Sequence, residues 1–179
     1  MRGERRVAKS RCGGFTLLEV VFVLVLLGVM ALLTSRMFTN FVSGYTMARN
    51  STAAVQKAQN ALQRMTIDFT YLTPASSSGG TNSISYNTSL DNDAIVISQS
   101  DDKIMYSLNG TGYVLTDGVA ADSLRFTYYT NYAAPAATTF DSSGTSLIGI
   151  SFTMVGDDPS QGFSQAYSTR VALNKIKDE

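Results

Sequence analysis

The chain has no histidine, one cysteine and three prolines in 179 residues. Without histidine there is no histidine-based triad and no imidazole ligand for zinc. The one cysteine, Cys12, lies in a basic stretch ahead of the first apolar run. A lipoprotein cysteine follows its apolar region, so Cys12 is misplaced for that modification. If the stretch ahead of the apolar run is removed, Cys12 goes with it, and disulfides and thiol catalysis go too. Also missing are a phosphate-cradling glycine loop, a nucleophile elbow and paired carboxylates in an apolar setting.

Charge is scarce and unevenly placed. The formal net charge is zero, yet Arg2, Arg5, Arg6, Lys9 and Arg11 face only Glu4 within residues 1–14. Residues 15–179 hold nine basic and thirteen acidic side chains. A mildly acidic body lacks the basic footprint of a nucleic-acid-binding protein, so no nucleic-acid partner is expected. Oxygen donors cluster at Asp91-Asn92-Asp93, Asp101-Asp102 and Asp157-Asp158. None has the spacing and glycine of a calcium loop, and turns are the better reading. No cofactor, metal ligand or catalytic residue is assigned.

What is present begins at the N-terminus. Phe15–Leu33 reads FTLLEVVFVLVLLGVMALL, with Glu19 its only charge. At about 1.5 Å per residue this crosses a hydrocarbon core of about 30 Å. The body is too small to bury such a helix on all sides. Basic residues before the run, against Arg36 alone just after it, hold the N-terminus in the cytoplasm and send the rest outward. An ordinary secretory signal is cut after its apolar region, whereas here Gly13-Gly14 directly precede it. Glu19 is costly at membrane depth, about 2.5–3.5 kcal/mol on insertion scales, and needs a cationic partner. The dipole of a helix N-terminus offsets only about 0.3–1 kcal/mol of this.

Gly14-Phe15-Thr16-Leu17-Leu18-Glu19-Val20 before an apolar run resembles the N-terminus of type IV prepilins and type II secretion pseudopilins. The resemblance covers about the first thirty residues. It implies cleavage between Gly14 and Phe15 by a prepilin peptidase, and N-methylation of Phe15. It implies a filament-assembly role for Glu19, paired with the N-terminal amine of a neighbouring subunit. The implied partners are other pilin-like subunits, major and minor, in a hetero-oligomeric filament rooted in the inner membrane. The chemistry is coherent: glycine admits the protease closely, and the cut creates an amine that is largely protonated.

No proline interrupts Phe15–Thr73. Apolar or small residues recur from Phe38 through Phe41, Tyr45, Ala48, Thr52, Val55, Ala58, Leu62, Met65 and Phe69 to Leu72 at steps of three and four. That predicts one helix over residues 15–73, membrane-spanning over 15–35 and then amphipathic, its stripe packed under the head. Pro74 disfavours helix at the residue before it. Many major pilins carry a proline just past the span, so its absence suits a minor subunit.

The leader is residues 1–14 and the head residues 74–179. Pro74–Gly80 reads as a loop. Ile84–Tyr86 is a weak strand signal. Ala94–Ser98, Lys103–Leu108 and Tyr113–Thr116 predict an antiparallel meander, with Asn109-Gly110 as a tight hairpin. Period-two alternation predicts strands over 122–130, 146–155 and 163–173, with a long loop over 131–144. The fold expected is α+β and pilin-like, a long N-terminal helix against an antiparallel sheet. The order of the C-terminal runs resembles J-type minor pseudopilins, and the related W-type and MSHA-type minor pilins. The function implied is a minor pseudopilin supporting secretion. A minor pilin of a type IV pilus is the alternative, and a membrane-anchored enzyme the remote one.

Overall fold

The computed structural model describes residues 14–89, 93–156 and 162–174. Residues 1–13 of the leader, with Cys12 and Gly13, and Asp91, Asn92, Asp157 and Asp158, fall outside them. The fold is α+β. The chain divides into two compact units, Met1–Tyr45 and Thr46–Glu179.

Helix α1 runs from Leu17 to Thr70. All its residues in the first unit are exposed, among them Leu17, Phe22 and Leu32. It has the length and composition of a membrane anchor. Thr34 and Thr39 hydroxyls donate to the carbonyls of Met30 and Ser35, four residues back, so these polar groups are satisfied within the helix.

In the second unit, α1 packs on two antiparallel sheets. The first is a five-stranded meander in the order β1-β2-β3-β4-β5, comprising Leu72–Gly79, Ser83–Thr88, Ala94–Ser100, Lys103–Leu108 and Thr111–Thr116. The second has the order β6-β7-β8, comprising Arg125–Tyr129, Leu147–Met154 and Gln165–Ala172. The single sheet expected from sequence is thus two. The break falls at residues 117–124, where Gln99 ties the crossover down. Its amide nitrogen donates to the Ala120 carbonyl at 2.7 Å, and its amide oxygen accepts from Leu124 N at 2.9 Å. Gly118 takes φ +70, and a Cβ there would lie 2.9 Å from the Gly156 carbonyl carbon, so the crossover requires glycine.

Three local expectations are corrected. The helix stops at Thr70, not Thr73, because Leu72 and Thr73 pair with Thr88 and Asn87. Pro74–Gly80 is not a loop: residues to Gly79 form β1, an edge strand whose register shifts between Thr73 and Ser78. A proline is tolerated there because an edge or bulge position needs no ladder donor. The apolar stripe is buried only from Ala54 onward, while Phe38, Phe41 and Tyr45 are exposed. Strands of five to eight residues are about 17–26 Å long, which matches only some three to five helical turns.

The buried ridge is also slimmer than the stripe suggests. Ala54, Ala58 and Ala61 are its centre, with Met65 and Phe69 after them, while Val55 and Leu62 are half-buried flanks. Alanines let the helix backbone approach the sheets closely. The expected inward residues Leu124, Phe126, Tyr128, Ile148, Ile150, Phe152 and Met154 are all buried, but Leu147 and Gly149 are buried too, so in β7 burial alternates only from Ile150 onward. At the β4–β5 turn, Asn109 (φ 51) and Gly110 (φ 84) both adopt the left-handed conformation that such a hairpin requires.

Candidate functional site

The N-terminal end of α1 carries the sequence-predicted residues. Gly14, Phe15 and Thr16 precede the first helical residue, Leu17, and all are exposed. A Cβ at Gly14 would meet nothing within 4 Å. Nothing in the chain's own packing therefore demands glycine at that position. Thr16 is the helix N-cap: its Oγ1 accepts from Glu19 N at 3.3 Å, and its carbonyl accepts from Glu19 N at 3.0 Å and Val20 N at 3.2 Å. Glu19 is the acidic residue of the first turn. Thr16-Leu17-Leu18-Glu19 is thus a capping-box sequence with its threonine half formed. Thr16 was missed in the sequence reading, although a threonine three residues before glutamate at the head of an apolar run was signal enough.

A second polar cluster lies where α1 meets the meander, and sequence reasoning did not single it out. Asp68, 6 % exposed, accepts from the Tyr86 hydroxyl at 3.2 Å and faces Arg64 Nε at 3.3 Å. Arg64 also donates to the Tyr106 hydroxyl at 3.2 Å. Arg64, Asp68 and Tyr106, together with Thr88 and Asp93, line a cavity of about 250 Å³. Burial raises the Asp68 carboxyl above its ordinary value, against the opposing pull of Arg64 and Tyr86. Burial also pushes the Tyr86 hydroxyl up, so it remains a neutral donor.

A raised carboxylate pKa means the folded chain binds the proton more tightly than the unfolded one. Its stabilising contribution is then fully present below the unfolded pKa and is lost as pH rises through the folded one. Asp68→Asn keeps an acceptor for Tyr86 and removes the buried charge. It is expected to match or exceed the parent's stability near neutral pH, with the margin closing toward about pH 4. Urea unfolding across pH checks this. A variant that is less stable at neutral pH would show that the Arg64 pair outweighs burial.

A chain whose first described segment is a capped apolar helix of membrane-crossing length, and whose remainder is a β-rich head, has a pilin-like architecture. The family model of the prokaryotic N-terminal methylation motif matches residues 9–35. That match supports the type IV pilin and pseudopilin superfamily, and it points to a structural subunit over an enzyme. A prepilin-type leader implies processing by prepilin peptidase and assembly with other pilin subunits. No curated protein and no solved structure matches the chain.

Proposed function

We propose that the chain is a minor pseudopilin of a type II secretion system, anchored in the inner membrane with its head in the periplasm. In this reading the leader is cut between Gly14 and Phe15, and Phe15 is N-methylated. Glu19 then meets the Phe15 amine of a neighbouring subunit. The observation that carries it is Glu19 itself, an exposed carboxylate in the first turn of an apolar helix that has no other charge before Arg36. Its position, one turn after a glycine that the chain's own packing leaves unconstrained, supports a role outside the single chain. The proline-free helix supports a minor subunit over a major one. The genes beside this one separate a secretion pseudopilus from a surface pilus: a secretin and secretion ATPase in the first case, a retraction system in the second.

Processing is tested directly. Chain extracted from membranes of cells with active prepilin peptidase is expected to begin at Phe15 and to carry one methyl group on its α-nitrogen. Intact mass and N-terminal sequencing read both. A mature chain that retains Cys12 overturns the reading.

A further inference from the structure

Strands β6, β7 and β8 contain no acidic residue, although residues 15–179 are net acidic. Their register aligns the residues between the inward-facing ones in rows on the opposite face. Thr127, Gly149 and Arg170 form one row across the three strands, and Arg125, Ser151 and Ser168 the next. The face opens into a hollow of about 440 Å³. Gly149 is its floor. A Cβ there would strike Thr127 Oγ1 and approach Tyr129 Cε2 to 3.2 Å, so the depression depends on glycine.

Arg170 borders the hollow with its guanidinium carbon 4.4 Å from the centre of the Tyr129 ring. Stacking fixes the planar group while its N–H donors, which lie in the plane, stay available. Among the described residues no carboxylate pairs with Arg170. Arg125 at the far corner is partly committed, to Asn82 Oδ1 at 3.2 Å and the Leu124 carbonyl at 2.8 Å. The face therefore offers one preset guanidinium and several hydroxyls, with no lysine. That suits a single carboxylate with polar neighbours better than a polyanion, which is held by many cations. Among the described residues β8 is an edge strand of its sheet, so no strand flanks the hollow on that side.

We propose that the outward face of β6–β8 is a docking site for an acidic polypeptide segment of another protein, one of whose carboxylates takes a bidentate hydrogen bond from Arg170. The contact is made by the head and is independent of cleavage at Gly14 and of Glu19.

The test uses the full chain in detergent micelles and a short labelled peptide of alternating Glu and Ser, read by fluorescence anisotropy. The same peptide with Gln in place of Glu is the control. The acidic peptide is expected to bind and the Gln peptide not. Arg170→Ala weakens binding about tenfold or more, the loss expected for a charge-assisted pair. Arg170→Lys recovers only part, because an ammonium lacks the planar fork. Ser168→Glu, an exposed change that places a carboxylate on the face, abolishes binding, and Lys103→Ala at the start of β4 in the other sheet leaves it intact. Equal binding of the Gln peptide, no effect of Arg170→Ala, or an equal loss with Lys103→Ala overturns the proposal. So does tighter Arg170-dependent binding of a sulfated polysaccharide, or Arg170-dependent self-association of the chain. A gain on deleting Asp178 and Glu179 would make the chain's own C-terminus the occupant and also overturn it.

Discussion

Phe69→Ala is expected to destabilise the head strongly. Phe69 is fully buried near the end of α1. Its ring meets Tyr86 of the meander edge-on at 5.3 Å and Phe126 of the three-stranded sheet at 6.1 Å. One side chain therefore joins the helix to both sheets. Phe-to-Ala changes in cores cost about 3–5 kcal/mol, the sum of lost transfer energy and a cavity that neighbours refill only in part. The edge-to-face contacts add about 0.5–1.5 kcal/mol each beyond area burial. Set against a total stability of about 5–15 kcal/mol, this removes a third or more of the margin. Phe69→Leu, which retains most of the volume, is expected to cost clearly less. Leu62→Ala, at a half-buried flank, should also cost less than Phe69→Ala. Urea unfolding followed by tyrosine fluorescence or pulse proteolysis measures all three. A Phe69→Ala head within about 1 kcal/mol of the parent would mean that the sheets are held together by other contacts.

Glu19→Leu is expected to leave insertion and cleavage intact while co-assembly falls. The substitution makes the apolar segment more apolar, so insertion is equal or better. Gly14 is untouched, so the peptidase site remains. What disappears is the partner for a neighbour's amine inside a low-dielectric layer, and an amine left unpaired there is strongly destabilising. Glu19→Gln retains hydrogen bonding without charge and should fall between the two. The structure adds a control that the sequence reading lacked. Thr16→Ala removes the N-cap, at about 1 kcal/mol of helix stability, but keeps the carboxylate. Cross-linking to co-expressed pilin-like subunits, beside a cleavage gel and a membrane fraction, reads the outcome. Normal cross-linking by processed Glu19→Leu sinks the assembly role. An equal loss from Thr16→Ala would assign Glu19 to local capping instead. A subunit at a filament tip has only one of two such pairings, so the commitment is to a measurable loss, not a complete one.

Much of the fold was legible because its signals are local. An apolar run of membrane length, three-and-four periodicity in α1, an Asn-Gly hairpin and period-two alternation each depend on neighbours in sequence. The N-terminal residues were readable for the same reason. Gly14, Phe15, Thr16 and Glu19 lie in one linear segment.

What the sequence alone determined was an apolar helix of membrane-crossing length, the α+β class and the inward residues of most strands, since each follows from the pattern along one element. Only the tertiary structure decided how many sheets there are, because Gln99 and Gly118 turn the chain between them through contacts far apart in sequence. It also decided where helix burial starts, which depends on how far the strands reach. It turned Pro74–Gly79 into an edge strand, since pairing with β2 outweighs local turn propensity. Finally, it brought Asp68 under Tyr86 and stacked Arg170 on Tyr129. These juxtapositions join residues from different elements, and no pattern along a single element encodes them.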